Sequence, residues 1–341
     1  MKRIASFFLA LALAFSLTAC TVPVEKADDG KIQIVATLFP YYDFARAIVG
    51  DRADVTLLLS PGREAHSFEP TPLDAVTISE SDVFLYNGGE GEYWVDSMLG
   101  AAGENIAVIA RMMDYVDALD EEYVEGMQGA DGHDHDHEHG SHDDHDDHDD
   151  HDHDHEEDEH DSDEVEYDEH IWTSPKNAVV LCRAVCDAIC NADPANEDFY
   201  RANCDGYCAQ LEALDARFAD LCASAPRKLL VFADRFPMLY FCREYGLDYR
   251  AAFHGCSGDT EPSLATIKFL IDKVEDEDIP VVYTIDFGTK KVAAVVSECT
   301  GAAIETIYSM QTVSRADFDA GETYLTLMER NYEALRKGLN A

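Results

Sequence analysis

Histidine is the residue type in this chain most able to do chemistry, and its fourteen copies are unevenly placed. Eleven of them (His133, His135, His137, His139, His142, His145, His148, His151, His153, His155 and His160) alternate with carboxylates in one tract. His170 stands at the edge of that tract, and only His66 and His254 lie elsewhere. A neutral imidazole, with a reference pKa of about 6.5, is a good donor to borderline divalent metals near neutral pH. The surrounding carboxylates concentrate cations, so the tract reads as a metal collector. Each binding event there must order chain, which predicts several sites of modest affinity. Between Asp131 and His170 there are 22 Asp or Glu, 12 His and no Lys or Arg, half of a formal net charge of -44. A field of that sign repels phosphate backbones and excludes nucleic acid as a partner.

Cysteine is the second candidate. Of ten, Cys20 belongs to a processing signal, and the nine that remain cannot form a complete set of internal disulfides. Cys182, Cys186 and Cys190 recur every fourth residue, as do Cys204 and Cys208, which places each set on one face of a helix. They are either buried thiols packing as small hydrophobes or a thiolate metal site.

At 341 residues and 46% hydrophobic, the chain has material for about two domains. Residues 1–19 have a basic start at Lys2 and Arg3 and an apolar run of about fourteen residues, too short to span a bilayer and suited to a signal peptide. Leu17-Thr18-Ala19-Cys20 resembles the bacterial lipobox, which makes Cys20 the expected lipid anchor and residues 20–31 a tether. Short apolar runs at Ile32–Thr37, Val55–Leu59, Val83–Tyr86 and Ile106–Ile109 predict strands, with helical patterns at Tyr42–Val49 and Pro72–Ser79 between them. The 131–166 tract has no apolar period and is expected to be a disordered loop. From Asn177 the pattern turns helical, and Asn196 to Cys222 predicts one helix about 40 Å long. Strands return at Leu229–Phe232, Tyr249–Phe253, Val281–Ile285 and Ile304–Ile307, with helices at Thr266–Val274, Lys290–Cys299 and Tyr324–Leu339. The expectation is an α/β protein of two lobes, 32–190 and 226–341, joined by a linking helix over 191–225. Ligands in such sheets bind beyond the carboxyl ends of the strands, where both His66 and His254 fall.

The run from Ile34 to Gly88 resembles the metal-specific class of ABC-transporter solute-binding proteins, the zinc and manganese uptake lipoproteins. Pro61-Gly62, His66 and Glu69-Pro70-Thr71-Pro72 match the family's first ligand motif. Asp168, His170, Trp172, Ser174 and Pro175 match its second, and a His-rich acidic loop before that motif is typical of zinc-type members. Asp193-Pro194-Ala195-Asn196 with Tyr200 and Asn203 resembles the start of the family's long backbone helix. The resemblance implies two similar lobes with mainly parallel sheets and a metal cleft between them. It further implies Zn²⁺ as transported ligand, an ABC permease and its ATPase as partners, a monomer anchored outside the membrane, small lobe motion and no catalysis.

Two positions depart from the family. The third ligand position is Ala233, which has no donor atom, and the fourth is Tyr308, whose phenol with a pKa near 10 is a poor zinc ligand. His66 and His170 then need partners. His254 is the first replacement and Asp234 the second, ahead of Cys256, Glu261, Asp286, a water or a histidine of the tract. Glu69 is expected to orient the turn rather than touch metal. A metal buffer or adhesin-like surface lipoprotein binding through the tract alone, and a manganese-binding homologue, are the competing readings. A histidine-dominated cleft favours zinc, nickel or copper over harder ions. A zinc hydrolase has no H-E-x-x-H or G-x-S-x-G to support it.

Overall fold

The computed structural model describes residues 30–63, 67–102, 105–129, 166–258 and 261–340. Cys20, His66 and the eleven tract histidines lie outside the described residues. From Ile32 onward the chain forms one compact unit. Its N-lobe is a four-stranded sheet of β1 (Gln33–Ala36), β2 (Asp54–Leu57), β3 (Val83–Tyr86) and β4 (Val108–Arg111), in the order β2-β1-β3-β4. The C-lobe repeats that order with β5 (Leu229–Phe236), β6 (Asp248–His254), β7 (Val281–Ile285) and β8 (Ala303–Ile307), as β6-β5-β7-β8. Every pairing is parallel, with Ile34 opposite Val83 in one lobe and Phe232 opposite Tyr283 in the other. Strands covered on both faces by helices carry continuous apolar runs, and this is why Val83-Phe84-Leu85 is wholly buried.

Helices cover the sheets: α1 (Phe39–Val49), α2 (Pro72–Ser79), α3 (Trp94–Ala102) and α4 (Pro175–Ala192) before the lobe junction. α5 (Glu197–Ser224) follows the junction at Asp193–Asn196, and its 28 residues make it about 42 Å long at the standard rise. Tyr200, Cys204, Tyr207, Cys208, Leu211, Leu214, Phe218, Leu221 and Cys222 form its buried stripe at three- and four-residue spacing. The C-lobe adds α6 (Leu239–Tyr245), α7 (Leu264–Asp276), α8 (Lys291–Thr300), α9 (Arg315–Asp319) and α10 (Tyr324–Leu339). Among the described residues, no helix is long and apolar enough to cross a membrane.

The helix starts follow their capping residues. Thr71 and Asp74 form a capping box ahead of α2, and the Ser174 hydroxyl accepts the Asn177 amide at 3.3 Å with Pro175 in the first turn of α4. The Ser-Pro pair that closes the second motif is therefore a helix start. α10 returns to the first lobe. Buried Asp43 on α1 accepts the Tyr324 amide at 2.9 Å and the Tyr207 hydroxyl at 2.6 Å, and pairs with Arg46 at 2.9 Å.

One buried acid gives the fold a pH dependence. Glu92 is enclosed beside β3, where it accepts the Gly88 amide at 2.9 Å. Burial, reinforced by the charge of Glu169, pushes its carboxyl up to about 7. The native state then holds a proton that the unfolded chain has released, so this group's contribution is full below about pH 4.5 and is lost as pH rises through about 7. Glu92→Gln is expected to gain on the native chain by on the order of 3 kcal/mol between those limits. Urea melts of both proteins, without metal, at pH 5 and pH 8 test this; parallel pH profiles would refute it.

Candidate metal centre

The cleft forms where the carboxyl ends of both sheets face each other. His170 enters from the second motif just before the 3-10 turn Ile171–Thr173 and is 2% exposed. Its backbone amide donates to Asp168 Oδ1 at 2.7 Å, and its Nδ1 lies 3.1 Å from the same oxygen. With the Nδ1 proton on Asp168, the ring's basic lone pair is on Nε2, the arrangement by which a carboxylate orients a metal-binding imidazole. The x between Asp168 and His170 is thus set by geometry, since one carboxylate oxygen must reach both amide and ring.

His254 ends β6 on the opposite lobe. Its Nδ1 lies 2.9 Å from Glu121 Oε1, which also accepts the Cys256 amide at 3.3 Å. The ring packs against Tyr123 at 5.0 Å between centroids. Burial pushes Glu121 upward, but the hydrogen bond from His254 and the nearby charges of His170 and His254 outweigh it, and the carboxyl sits below its ordinary range. The histidines respond in kind. Burial lowers both, yet Asp168 raises His170 and Glu121 raises His254, so each ends above its ordinary value.

Glu121 was not anticipated from the sequence. It lies in the aperiodic stretch after β4, placed by an antiparallel bridge between Asp120 and Tyr167. The Glu121 amide donates to the Glu166 carbonyl at 2.8 Å and the Asp168 amide to the Leu119 carbonyl at 2.9 Å. Glu166, expected to lie within the disordered tract, is therefore already paired. The two flanks of the tract are stitched together beside His170 and His254. The acidic triplet Asp120-Glu121-Glu122 was the one available signal, and in so acidic a chain it does not stand out.

The donor set fits a borderline divalent ion. Glu121 feels the charges of both His170 and His254, although the ligand atoms of these groups are not gathered within 4.8 Å of one another, and Asp168 Oδ2 and Glu121 Oε2 are buried with no hydrogen-bond donor. Tetrahedral zinc takes such N and O ligands. The C-lobe backbone comes unusually close here. A Cβ on Gly255 would sit 3.1 Å from the His170 ring and 2.9 Å from the Phe236 carbonyl, so only glycine fits. Arg235, Pro237, Ile285, Phe287, Ser309, Gln311 and Thr312 line the rest of the cavity with His170 and Gly255.

The remaining candidates are placed otherwise. Asp234 sits at a register shift in β5; its Oδ2 accepts the Thr284 hydroxyl at 2.5 Å and the Ile285 amide at 3.3 Å, and its Oδ1 accepts the Arg235 amide at 2.9 Å. Those donors clasp β5 to β7 and take the oxygens that metal binding would need. Ala233 packs into the C-lobe core with Val231 and Ala252. Tyr308 is held by Asn331, which bonds its backbone amide and carbonyl at 2.8 and 2.9 Å, and its ring lies under Arg330 at 5.3 Å. Glu261 is exposed and pairs with Lys291 at 3.6 Å, and Asp286 accepts the Ser309 amide at 3.2 Å. Glu69 is exposed, just before the cap of α2.

Glu121→Gln keeps shape and removes the charge between the two histidines. It is expected to weaken zinc binding by about 10–100-fold, the range seen when a ligand's carboxylate partner is lost. Chelator competition at pH 7 measures it, and an unchanged affinity would remove Glu121 from the site.

The family model described as zinc-uptake complex component A, periplasmic, matches residues 34–338. The chain is 30% identical over 338 residues to the zinc-binding lipoprotein AdcA of Streptococcus pneumoniae, covering 99% of this chain and 61% of that protein. It is 29% identical over 342 residues to the high-affinity zinc uptake system protein ZnuA of Bacillus subtilis, covering 99% and 98%. Among solved structures, the Zn(II)-bound ZnuA-like domain of Streptococcus pneumoniae AdcA matches with a TM-score of 0.70 at 25% identity, over 92% of this chain and 100% of that one. The metal-dependent lipoprotein YcdH of Bacillus subtilis matches with a TM-score of 0.70 at 27% identity, over 91% and 100%. With two parallel-sheet lobes, a long connecting helix and the family model matched across both lobes, this chain belongs to the zinc-uptake complex component A family of solute-binding proteins, which are transport components and not enzymes.

Proposed function

We propose that this protein captures Zn²⁺ outside the cell and delivers it to an ABC permease and its ATPase. The observation that carries the reading is the pair of carboxylate-oriented imidazoles, His170 on Asp168 and His254 on Glu121, in a chain of this family. The printed names of the AdcA and ZnuA relatives, a zinc-binding lipoprotein and a high-affinity zinc uptake system protein, support the choice of ion. The proposed shell is His66, His170 and His254 with a Glu121 oxygen as the fourth ligand. Four N and O ligands complete a tetrahedron without the positions now held by Ala233 and Tyr308. Cys20 is the proposed lipid anchor, and the tract histidines are auxiliary collectors that feed the cleft.

Calorimetric titration of mature protein lacking residues 131–163 tests this. One tight zinc site, lost on His66→Ala and on His254→Ala and not matched by manganese, is the expected result. Binding no tighter than micromolar would transfer the function to the tract and support the metal-buffer reading instead.

A further inference from the structure

A second group of potential metal ligands uses none of the cleft's residues. α4 and α5 form an antiparallel hairpin, as shown by Arg183 pairing with Asp205 at 3.3 Å and Arg201 with Asp187 at 2.9 Å. At its interface the sulfurs of Cys182, Cys204 and Cys208 all lie within 4.8 Å of one another, and all three residues are buried. Cys204 and Cys208, one turn apart on α5, have their sulfurs 3.9 Å apart. Among the described residues this is the one group of three or more His, Cys, Asp or Glu whose ligand atoms come so close together.

We propose that these three thiols form a trigonal site for a soft monovalent ion, cuprous copper. A metal–sulfur bond of about 2.3 Å puts the corners of a planar three-sulfur shell about 4.0 Å apart, close to the spacing found. Zinc would demand a fourth ligand, whereas thiolate-rich sites suit Cu(I). An ion has a way in. Cys186 and Cys204 line a surface cleft together with Arg183, Asp187, Arg201 and Asp205, so Cys204 stands between solvent and the deeper Cys182 and Cys208. Binding exchanges up to three thiol protons for one Cu⁺ with no change of oxidation state, and the protons leave to solvent. The complex of three thiolates and one Cu⁺ carries two negative charges.

The test is titration of the full mature chain, reduced and kept without oxygen, with Cu(I) in competition with a chromophoric chelator. The expected result is one equivalent with a near-ultraviolet sulfur-to-copper band and an X-ray absorption shell of three sulfurs and no nitrogen, which separates this site from the histidines. Cys204→Ala and Cys208→Ala should each weaken that equivalent by more than about 100-fold, beyond the loss of a mere supporting contact. Cys190→Ala, outside the trio, should not, and unchanged zinc binding at the cleft would show that each variant is folded. Copper bound only by nitrogen, alanine variants that bind as well as the native chain, a four-sulfur zinc shell, or a disulfide formed within the trio in place of metal binding would each overturn the proposal.

Discussion

His170→Ala is expected to weaken zinc binding at the cleft by more than about 100-fold. The loss should exceed that for Glu121→Gln, because an enclosed imidazole is deleted outright, whereas glutamine keeps a neutral oxygen where the carboxylate stood. His170 is enclosed and its ring position is fixed from three sides, by Asp168, by Trp172 at 5.6 Å between centroids, and by the Gly255 backbone. The alanine variant also leaves the Asp168 carboxylate buried without its partner, so Asp168→Asn is the companion measurement. It preserves shape, favours the wrong tautomer, and should fall between native and alanine. The titration needs protein without residues 131–163, since the tract histidines would otherwise mask the loss. Removing them leaves the paired flanks at Leu119–Glu121 and Glu166–Asp168 in place. Affinity that survives His170→Ala within a factor of ten would place the metal elsewhere.

The second large effect is on stability. Trp172 is fully buried, stands edge-on to Tyr41 at 6.2 Å, and donates its indole N–H to the Ser309 carbonyl at 2.8 Å, while its own carbonyl accepts the Tyr324 hydroxyl at 2.7 Å. It therefore ties the second motif to the C-lobe and to α10 at once. Trp172→Ala should destabilise the protein by about 4 kcal/mol, the usual range for an aromatic deleted from a packed core. Trp172→Phe should lose about 1–3 kcal/mol, mainly by stranding the Ser309 carbonyl. Denaturant melts without metal separate the two; a change below about 1 kcal/mol for alanine would mean the lobes are not coupled through this ring.

Most of the fold was legible because parallel strands covered on both sides must be apolar throughout. All eight strands fall on runs such as Val83-Phe84-Leu85-Tyr86 and Val281 to Ile285. α3, α6 and the five-residue α9 show no readable pattern in the sequence. Trp94–Ala102 contains Gly100, and Leu239–Tyr245 is too short to show a period. β5 runs four residues beyond its apolar segment because a register shift carries it through Ala233 and Asp234, and that shift turns the expected ligand Asp234 into a clasp between strands. In the site, His254 is findable as a rare histidine beyond a strand end, and His170 through the Asp-x-His-x-Trp-x-Ser-Pro motif it shares with the family. Glu121 is not, because what makes it special is a partner 133 positions away and a pairing across the tract.

The clasp between α1 and α10 bears on how such a chain can be made and exported. Asp43 is buried within the first lobe, yet one of its donors, the Tyr324 amide, comes 281 residues later. A chain threaded through a membrane pore N-terminus first therefore delivers an N-lobe whose interior carboxylate lacks this donor until nearly all the rest has emerged. Closing so long a loop is slow relative to local pairing, and the unfinished lobe exposes apolar surface meanwhile.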